Sequence, residues 1–211
     1  MLSEARAAGL DFELIAAREG DKLPFHFESR LTLTAGAFRA ATQTVTPQGV
    51  IAIVRVHEAT PSEAIRAARE AMWPLVVLDR VQDPGNVGAI CRTAAAAGAA
   101  ALVVLEGTAD PFGAKAVRAS AGNVFRLVVA KGSWRDLDRL DGYGAAATGG
   151  TRLDAVAIEN AGMIVLGSEA HGLSRNDLKT VTVPISEGVE SLNVAAAAAV
   201  LLFEIRRRKT A

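Results

Sequence analysis

Between Leu75 and Ile185 short apolar runs recur: PLVVLDR, AALVVLEG, FRLVVA, YGAAATGG, GMIVLGSE and VTVPIS, each bounded by turn residues and separated by helical stretches. A run with apolar residues on consecutive positions buries both of its faces. Such runs alternating with helices argue for an α/β fold, a parallel sheet covered on both sides. In sheets of this kind ligands sit outside the carboxyl ends of the strands. The segments after three of the runs, VQDPGN, GSEAHGLS and SEGVESLN, are the polar, glycine-containing ones. Their convergence at one end of the sheet is the first functional expectation.

The last run carries Pro184, which cannot donate to a ladder, so the strand from Val181 to Ile185 is an edge or ends there. A helix follows the polar loop, with Ser191 placed to cap it. From Val194 to Phe203 no side chain is polar on any face, and Ala195 to Ala199 are all alanine. A helix apolar all round is enclosed by protein or lipid, and this one is too short to span a bilayer. Ser191 and Asn193 therefore stand at the mouth of an enclosed helix, where free backbone N–H groups can hold a polar ligand or simply be capped.

Half of the 211 residues are hydrophobic and 22% are charged, which fits a globular protein with a substantial core. Lys+Arg and Asp+Glu both number 23, so any nucleic-acid contact must come from a local patch. The single cysteine, Cys91, excludes a disulfide within the chain and multi-cysteine zinc patterns, and reads as a small buried apolar residue. No apolar signal core opens the sequence and no run reaches membrane length, so a cytoplasmic location without membrane contact is expected.

Residues 1–57 differ in pattern from the rest of the chain. They hold a possible strand from Phe12 to Ala16, a short helix from Ala35 to Thr42, the turn signal TVTPQG and a strand from Val50 to Val56. So short a piece buries too little to be comfortable alone. Residues 58–73 read as a linker helix, with Pro61 and Ser62 as start signals, and 74–211 as the main domain. No P-loop occurs and no GxGxxG follows a strand, so the usual dinucleotide signature is absent.

In DPGNVGAICRTAAAAG, Pro84–Gly85 makes a turn, Asn86 suits a cap, and a helix runs to Gly98. Arg92 on that largely apolar helix suits a phosphate or carboxylate; its partner is either a substrate anion or an acid such as Asp79 or Asp83. In LGSEAHGLS, Gly167 lets a ligand approach backbone and Glu169 sets a carboxylate at the strand's end, unless it only caps the loop. His171 reads as incidental and Ser174 as the start of a helix. Lys115 and Arg118, at helical spacing beside Ser120 and Asn123, form either an RNA-phosphate face or a solvated one. The tail from Arg206 to Lys209 is accounted for by the helix dipole. Trp73 and Trp134 read as packing residues rather than base-stacking platforms.

Taken together, DRVQDPGNVGAICRTAAAAG, IVLGSEAHGLS and VPISEGVESLNVAAAAAVLLFEI resemble the SpoU/TrmH family of RNA ribose 2′-O-methyltransferases, in the SPOUT superfamily. The resemblance covers about Leu75 to Arg208, and LTAGAFRAATQTVTPQGVIAIV resembles the approach to this domain in the ribosomal-RNA branch. It implies a trefoil-knotted parallel sheet with the C-terminal helix threaded through a loop, preceded by a shortened N-terminal α+β segment of RNA-binding type. It also implies a homodimer and S-adenosylmethionine held in the knot, with no metal. Asn86, Arg92, Glu169, Ser191 and Asn193 match its catalytic positions. The cofactor would be held around Thr148, Gly149, Leu166, Gly167, Val183, Ile185 and Leu192. A ribose 2′-hydroxyl restricts the substrate to RNA, ribosomal ahead of transfer RNA. A non-catalytic RNA-binding or ribosome-assembly factor on the same fold is the alternative.

Overall fold

The structure, a computed structural model, describes residues 1–27, 30–42, 48–168 and 171–210. Its chain divides into two units, residues 2–57 and 58–211, with Met1 grouped with the second. The first unit holds α1 (Leu2–Ala7), β1 (Asp11–Arg18), β2 (Leu31–Leu33), α2 (Ala35–Ala41) and β3 (Val50–Arg55). The strands form a sheet of order β2-β1-β3, in which β1 runs parallel to β2 and antiparallel to β3. Phe38 of α2 is fully buried, as are Ile15, Ala16 and Ala17 of β1. Thr34 caps α2, its hydroxyl accepting from the N–H of Ala37. The strand expected from Phe12 to Ala16 runs longer at both ends, and residues 44–47 of the expected turn lie outside those described.

The second unit begins with α3 (Pro61–Glu70). Its start is fixed by a reciprocal cap: Thr60 Oγ accepts from Glu63 N and Thr60 N donates to a Glu63 carboxylate oxygen at 2.7 Å. Ala64 and Ala68 face inward, so α3 packs on the sheet instead of hanging as a linker. There follow β4 (Leu75–Asp79), α4 (Pro84–Ala97), β5 (Ala101–Leu105), α5 (Ala114–Ala119), β6 (Val128–Gly132), α6 (Trp134–Leu137) and β7 (Gly142–Ala145). The chain ends with β8 (Thr151–Arg152), β9 (Met163–Gly167), β10 (Lys179–Thr182) and α7 (Val194–Thr210).

These strands make a seven-stranded sheet of order β6-β5-β4-β9-β7-β10-β8, and every adjacent pair is parallel. The consecutive apolar residues are explained by the side-chain alternation of a strand. Val76, Leu78, Leu102, Ile164 and Leu166 point to the face covered by Ile90 of α4 and Leu201 of α7. Leu75, Val77, Val103, Met163 and Val165 point to the other, under Ala64 and Ala68 of α3 and Leu137 of α6. Cys91 lies inside the first layer, where burial pushes its thiol up to about 12. Gly88 allows α4 to cross α5 closely, since a Cβ there would fall 2.3 Å from the carbonyl oxygen of Ala116.

Several expectations shift. The last strand is Lys179–Thr182, ending before Pro184, and β8 covers its outer side. No helix begins at Ser174. Helix α4 starts at Pro84 and is capped by Asp83, not Asn86, because the Asp83 carboxylate reaches the N–H of Gly85. Helix α7 starts at Val194, capped by Asn193 rather than Ser191: Asn193 Oδ1 accepts from Ala195 N at 2.9 Å. Nor is α7 enclosed within one chain, for Val200 is 40% and Phe203 47% exposed. Arg208 is no mere tail charge. It donates to the carbonyls of Leu153 (2.8 Å) and Val156 and pairs with Glu159 (3.2 Å) and Glu204 (2.7 Å). The Arg207 guanidinium and then that of Arg208 hold the Glu204 carboxyl down to about 2. No described helix is long and apolar enough to cross a membrane.

Candidate active site

The loops leaving the carboxyl ends of β7, β9 and β10, together with the entry to α7, enclose a cleft of about 520 Å³. Of the residues expected at a cofactor, Thr148, Gly167, Val183, Ile185 and Leu192 line it, as does Ser191. Gly149 adjoins Thr148 without lining the cleft, and Leu166 is fully buried in the sheet core, because its side chain alternates away from the opening. Among the described residues the backbones of Ile185 and Leu192 have no hydrogen-bond partner, which leaves them able to bond a ligand.

Gly167 is required by the geometry. A Cβ there would stand 2.6 Å from the carbonyl oxygen of Gly172, because the chain folds straight back: Ser168 and Gly172 exchange backbone hydrogen bonds of 3.1 and 2.7 Å. The returning segment brings His171 and Leu173 to the cleft. It is pinned by Asp79, the last residue of β4, which is 1% exposed. The Asp79 carboxylate accepts from both Ser174 N and Ser174 Oγ (2.9 Å to the hydroxyl), and Trp134 Nε1 donates to the same hydroxyl at 2.9 Å. Arg175, also at the cleft, is clasped by Asp138 (2.8 Å) and Asp177 (2.6 Å) and lies over the Trp134 ring. Those two carboxylates raise its already high pKa.

A second link joins segments far apart in sequence. Asn193 Nδ2 donates to Asn86 Oδ1 at 3.2 Å across 107 residues, so the first turn of α4 is tied to the start of α7. Arg92, two turns further along α4, is exposed. Among the described residues it has no hydrogen-bond or ion-pair partner. The acids that could have claimed it are engaged elsewhere, Asp79 with Ser174 and Arg80, Asp83 with Lys115. Arg92 does not line the cleft. Glu169 lies outside the described residues.

Lys115 and Arg118 stand apart from the cleft. Lys115 is bound to Asp83 at 2.6 Å, which holds the Asp83 carboxyl below its ordinary value, while Arg118 is exposed and unpaired among the described residues. Ser120 is buried and Asn123 bonds its carbonyl at 2.9 Å, so both secure the end of α5 instead of forming a face with the cations. The reading of the sequence missed Leu173, Arg175, Asn176 and Leu178 at the cleft, and Asp79 as the anchor of their loop. The signal for Asp79 was its place as the one carboxylate ending a fully buried run.

The family described as the SpoU rRNA Methylase family matches residues 74–203. The 23S rRNA (guanosine(2553)-2'-O)-methyltransferase RlmP of Bacillus subtilis is 34% identical over 206 residues, 91% of this chain and 79% of that protein. An uncharacterized tRNA/rRNA methyltransferase of Mycobacterium tuberculosis is 36% identical over 164 residues; this chain spans about half, 51%, of its length. The crystal structure of an AdoMet-bound rRNA methyltransferase from Sinorhizobium meliloti superposes with a TM-score of 0.81, covering 98% of this chain and 84% of that one at 26% identity.

Proposed function

The chain belongs to the SpoU rRNA Methylase family, and on that premise we propose that it transfers a methyl group from S-adenosylmethionine to a ribose 2′-hydroxyl of ribosomal RNA. The observation that carries this reading is the cleft at the carboxyl ends of β7, β9 and β10, lined by Thr148, Gly167, Val183, Ile185, Ser191 and Leu192. The name of the Bacillus subtilis relative supports ribosomal over transfer RNA.

The residues present fit the methyl donor. A cleft of about 520 Å³ is of the size that holds cofactors. Its wall combines apolar side chains of Leu173, Leu178 and Leu201, suited to a flat base, with Thr148, Asn176 and Ser191, suited to a sugar and an amino acid. Bound there, S-adenosylmethionine would supply a methyl group on a sulfonium centre. The chain's own residues supply position and charge. Arg92, with no internal partner among the described residues, orients an RNA phosphate and stabilises negative charge developing on the ribose oxygen. A guanidinium is too basic to accept a proton readily, so Arg92 is not assigned as the base. Asn86, tied to Asn193, fixes the turn from which the Arg92 helix departs. Ser191 contacts the ribose from the cleft wall.

The family also supports a trefoil knot through which α7 passes; residues 1–57 serve as a shortened RNA-binding unit. Cytoplasmic work follows from a ribosomal substrate. Calorimetry should give saturable one-to-one binding of S-adenosylmethionine. Radiolabelled methyl should enter ribosomal RNA at a 2′-hydroxyl and not enter an otherwise identical strand carrying 2′-deoxyribose at the target. Cofactor binding without methyl transfer to any RNA would instead favour the assembly-factor reading.

The homodimer rests on α7. Ala196, Val200 and Phe203 form an exposed row at helical spacing on the helix that lines the cleft through Val194, Ala197 and Leu201. An uncharged exposed row beside a site whose cation lies outside its own cleft suits a second copy. Sedimentation at micromolar concentration should show a dimer, converted to monomer by Phe203→Arg with a parallel loss of methyl transfer. A monomeric wild type would overturn it.

A further inference from the structure

The sheet has a second cleft at its opposite end. A groove of about 230 Å³ opens at the amino ends of β4 and β9, where Trp73 and Pro74 lead into one strand and Gly162 into the other. Arg69 near the end of α3, Met72, and Lys209 in the last turn of α7 form its rim. Strands of this length set it roughly 17 Å from the carboxyl-end cleft. Nothing in the proposed chemistry uses it.

The groove carries an excess of positive charge. Arg69 has no partner among the described residues. Lys209 stands over the Trp73 ring at 6.0 Å. Arg206 lies beside them, donating to the carbonyl of Ala97 at 3.2 Å and sharing with the Trp73 ring the space above Gly98. Of the carboxylates in reach, Glu159 lines the groove and pairs with Arg208, Glu70 lies 4.0 Å from Arg66, and Asp141 stands beside Gly162, so the three cations face one carboxylate without a partner among the described residues. In a chain whose 23 cationic and 23 acidic side chains balance, such a cluster is a local excess. Trp73 lines the groove with its ring under Lys209, and its polar atom is closed off from it. Its Nε1 is buried and has no acceptor among the described residues, although a buried indole N–H ordinarily finds one. At the rim Met72 is 79% exposed and held at φ 51, a conformation that costs energy for any residue but glycine.

We propose that this groove is a second RNA-contact site, which takes a backbone phosphate of a single strand between Arg69 and Lys209, beside the Trp73 ring. Cations beside an aromatic face are the pairing by which single strands are held without regard to sequence. The groove is too small for a folded partner. The assignment rests on the functional reading above only in taking RNA as the ligand, and it reverses the expectation that Trp73 and the C-terminal cations serve packing and the helix dipole alone.

The experiment titrates the full chain with a short oligouridylate at several salt concentrations. In Arg69→Gln/Lys209→Gln the slope of log affinity against log salt should become shallower by about 1.4, near 0.7 per phosphate contact on a single strand, while S-adenosylmethionine binding stays unchanged. The chain has two tryptophans, so an RNA-induced fluorescence change should be present in the wild type and lost in Trp73→Phe. RNA binding with an unaltered slope in the double variant would overturn this inference and leave the methyltransferase reading standing. A response to inorganic phosphate with none to the oligouridylate would overturn RNA as the occupant. A wild type that binds neither RNA nor S-adenosylmethionine would defeat both readings together.

Discussion

Arg92→Ala is expected to lower methyl transfer by about 100- to 1000-fold while S-adenosylmethionine still binds with wild-type affinity. The magnitude is that of losing one pre-placed donor to a developing oxyanion. The separation of the two readouts follows from position. Arg92 is exposed on α4, has no partner among the described residues and does not line the cleft, so its removal breaks no internal contact and touches no cofactor wall. Exposed substitutions of that kind shift stability by about 0.5 kcal/mol or less. Arg92→Lys should recover part of the rate, since a point charge remains but the planar fork that suits a phosphate is gone. The check is a single-turnover methylation assay beside calorimetry and a melting curve. Full activity in Arg92→Ala would remove this side chain from the mechanism.

The largest loss of stability is expected at Asp79. Its carboxylate is 1% exposed, accepts from both Ser174 N and Ser174 Oγ, and lies 3.5 Å from Arg80 Nε, itself buried without a hydrogen-bond partner among the described residues. Arg80 is also held at φ 59, a strained position for a residue with a side chain. Asp79→Ala deletes the buried acceptor and releases Ser174, which is exposed, and Arg80, whose side chain is 37% exposed. Hydrogen bonds to a charged acceptor are worth about 1.5–3 kcal/mol. For a chain of this size about 3 kcal/mol lowers the melting midpoint by roughly 6–12 °C. The cleft should suffer with it, because Asp79 is what pins the segment carrying Leu173, Arg175 and Asn176 to the end of β4. Asp79→Asn keeps one acceptor oxygen and should lose less on both counts. Thermal unfolding of the two variants, with the affinity for S-adenosylmethionine measured below each transition, tests the order wild type, Asn, Ala. A wild-type midpoint in Asp79→Ala would show that Ser174 is not held as the hydrogen bonds imply.

Much of this architecture was legible locally. The buried strands announced themselves because a strand covered on both faces needs apolar residues at successive positions, and LVVLD, ALVVL and MIVLG supply them. The polar turns after those runs were legible for the same reason, being where glycine and proline stop a ladder. Cap positions were less secure. Asn86 and Asn193 are both residues that cap helices, yet only Asn193 does so; the choice depends on which oxygen the neighbouring backbone can reach, and at α4 Asp83 is the nearer.

What the amino-acid order determined by itself, then, was the kind of sheet, the residues inside it and the polar segments at its strand ends, since each is set by neighbours within a few positions. Tertiary structure alone decided which segments meet. The order β6-β5-β4-β9-β7-β10-β8 places Asp79 against Ser174 and Asn86 against Asn193. It also leaves Val200 and Phe203 outside when their composition says inside. Contacts across such distances carry no periodic trace in a linear sequence, because they arise from strand order and packing, and the same local patterns could have been stacked in another order.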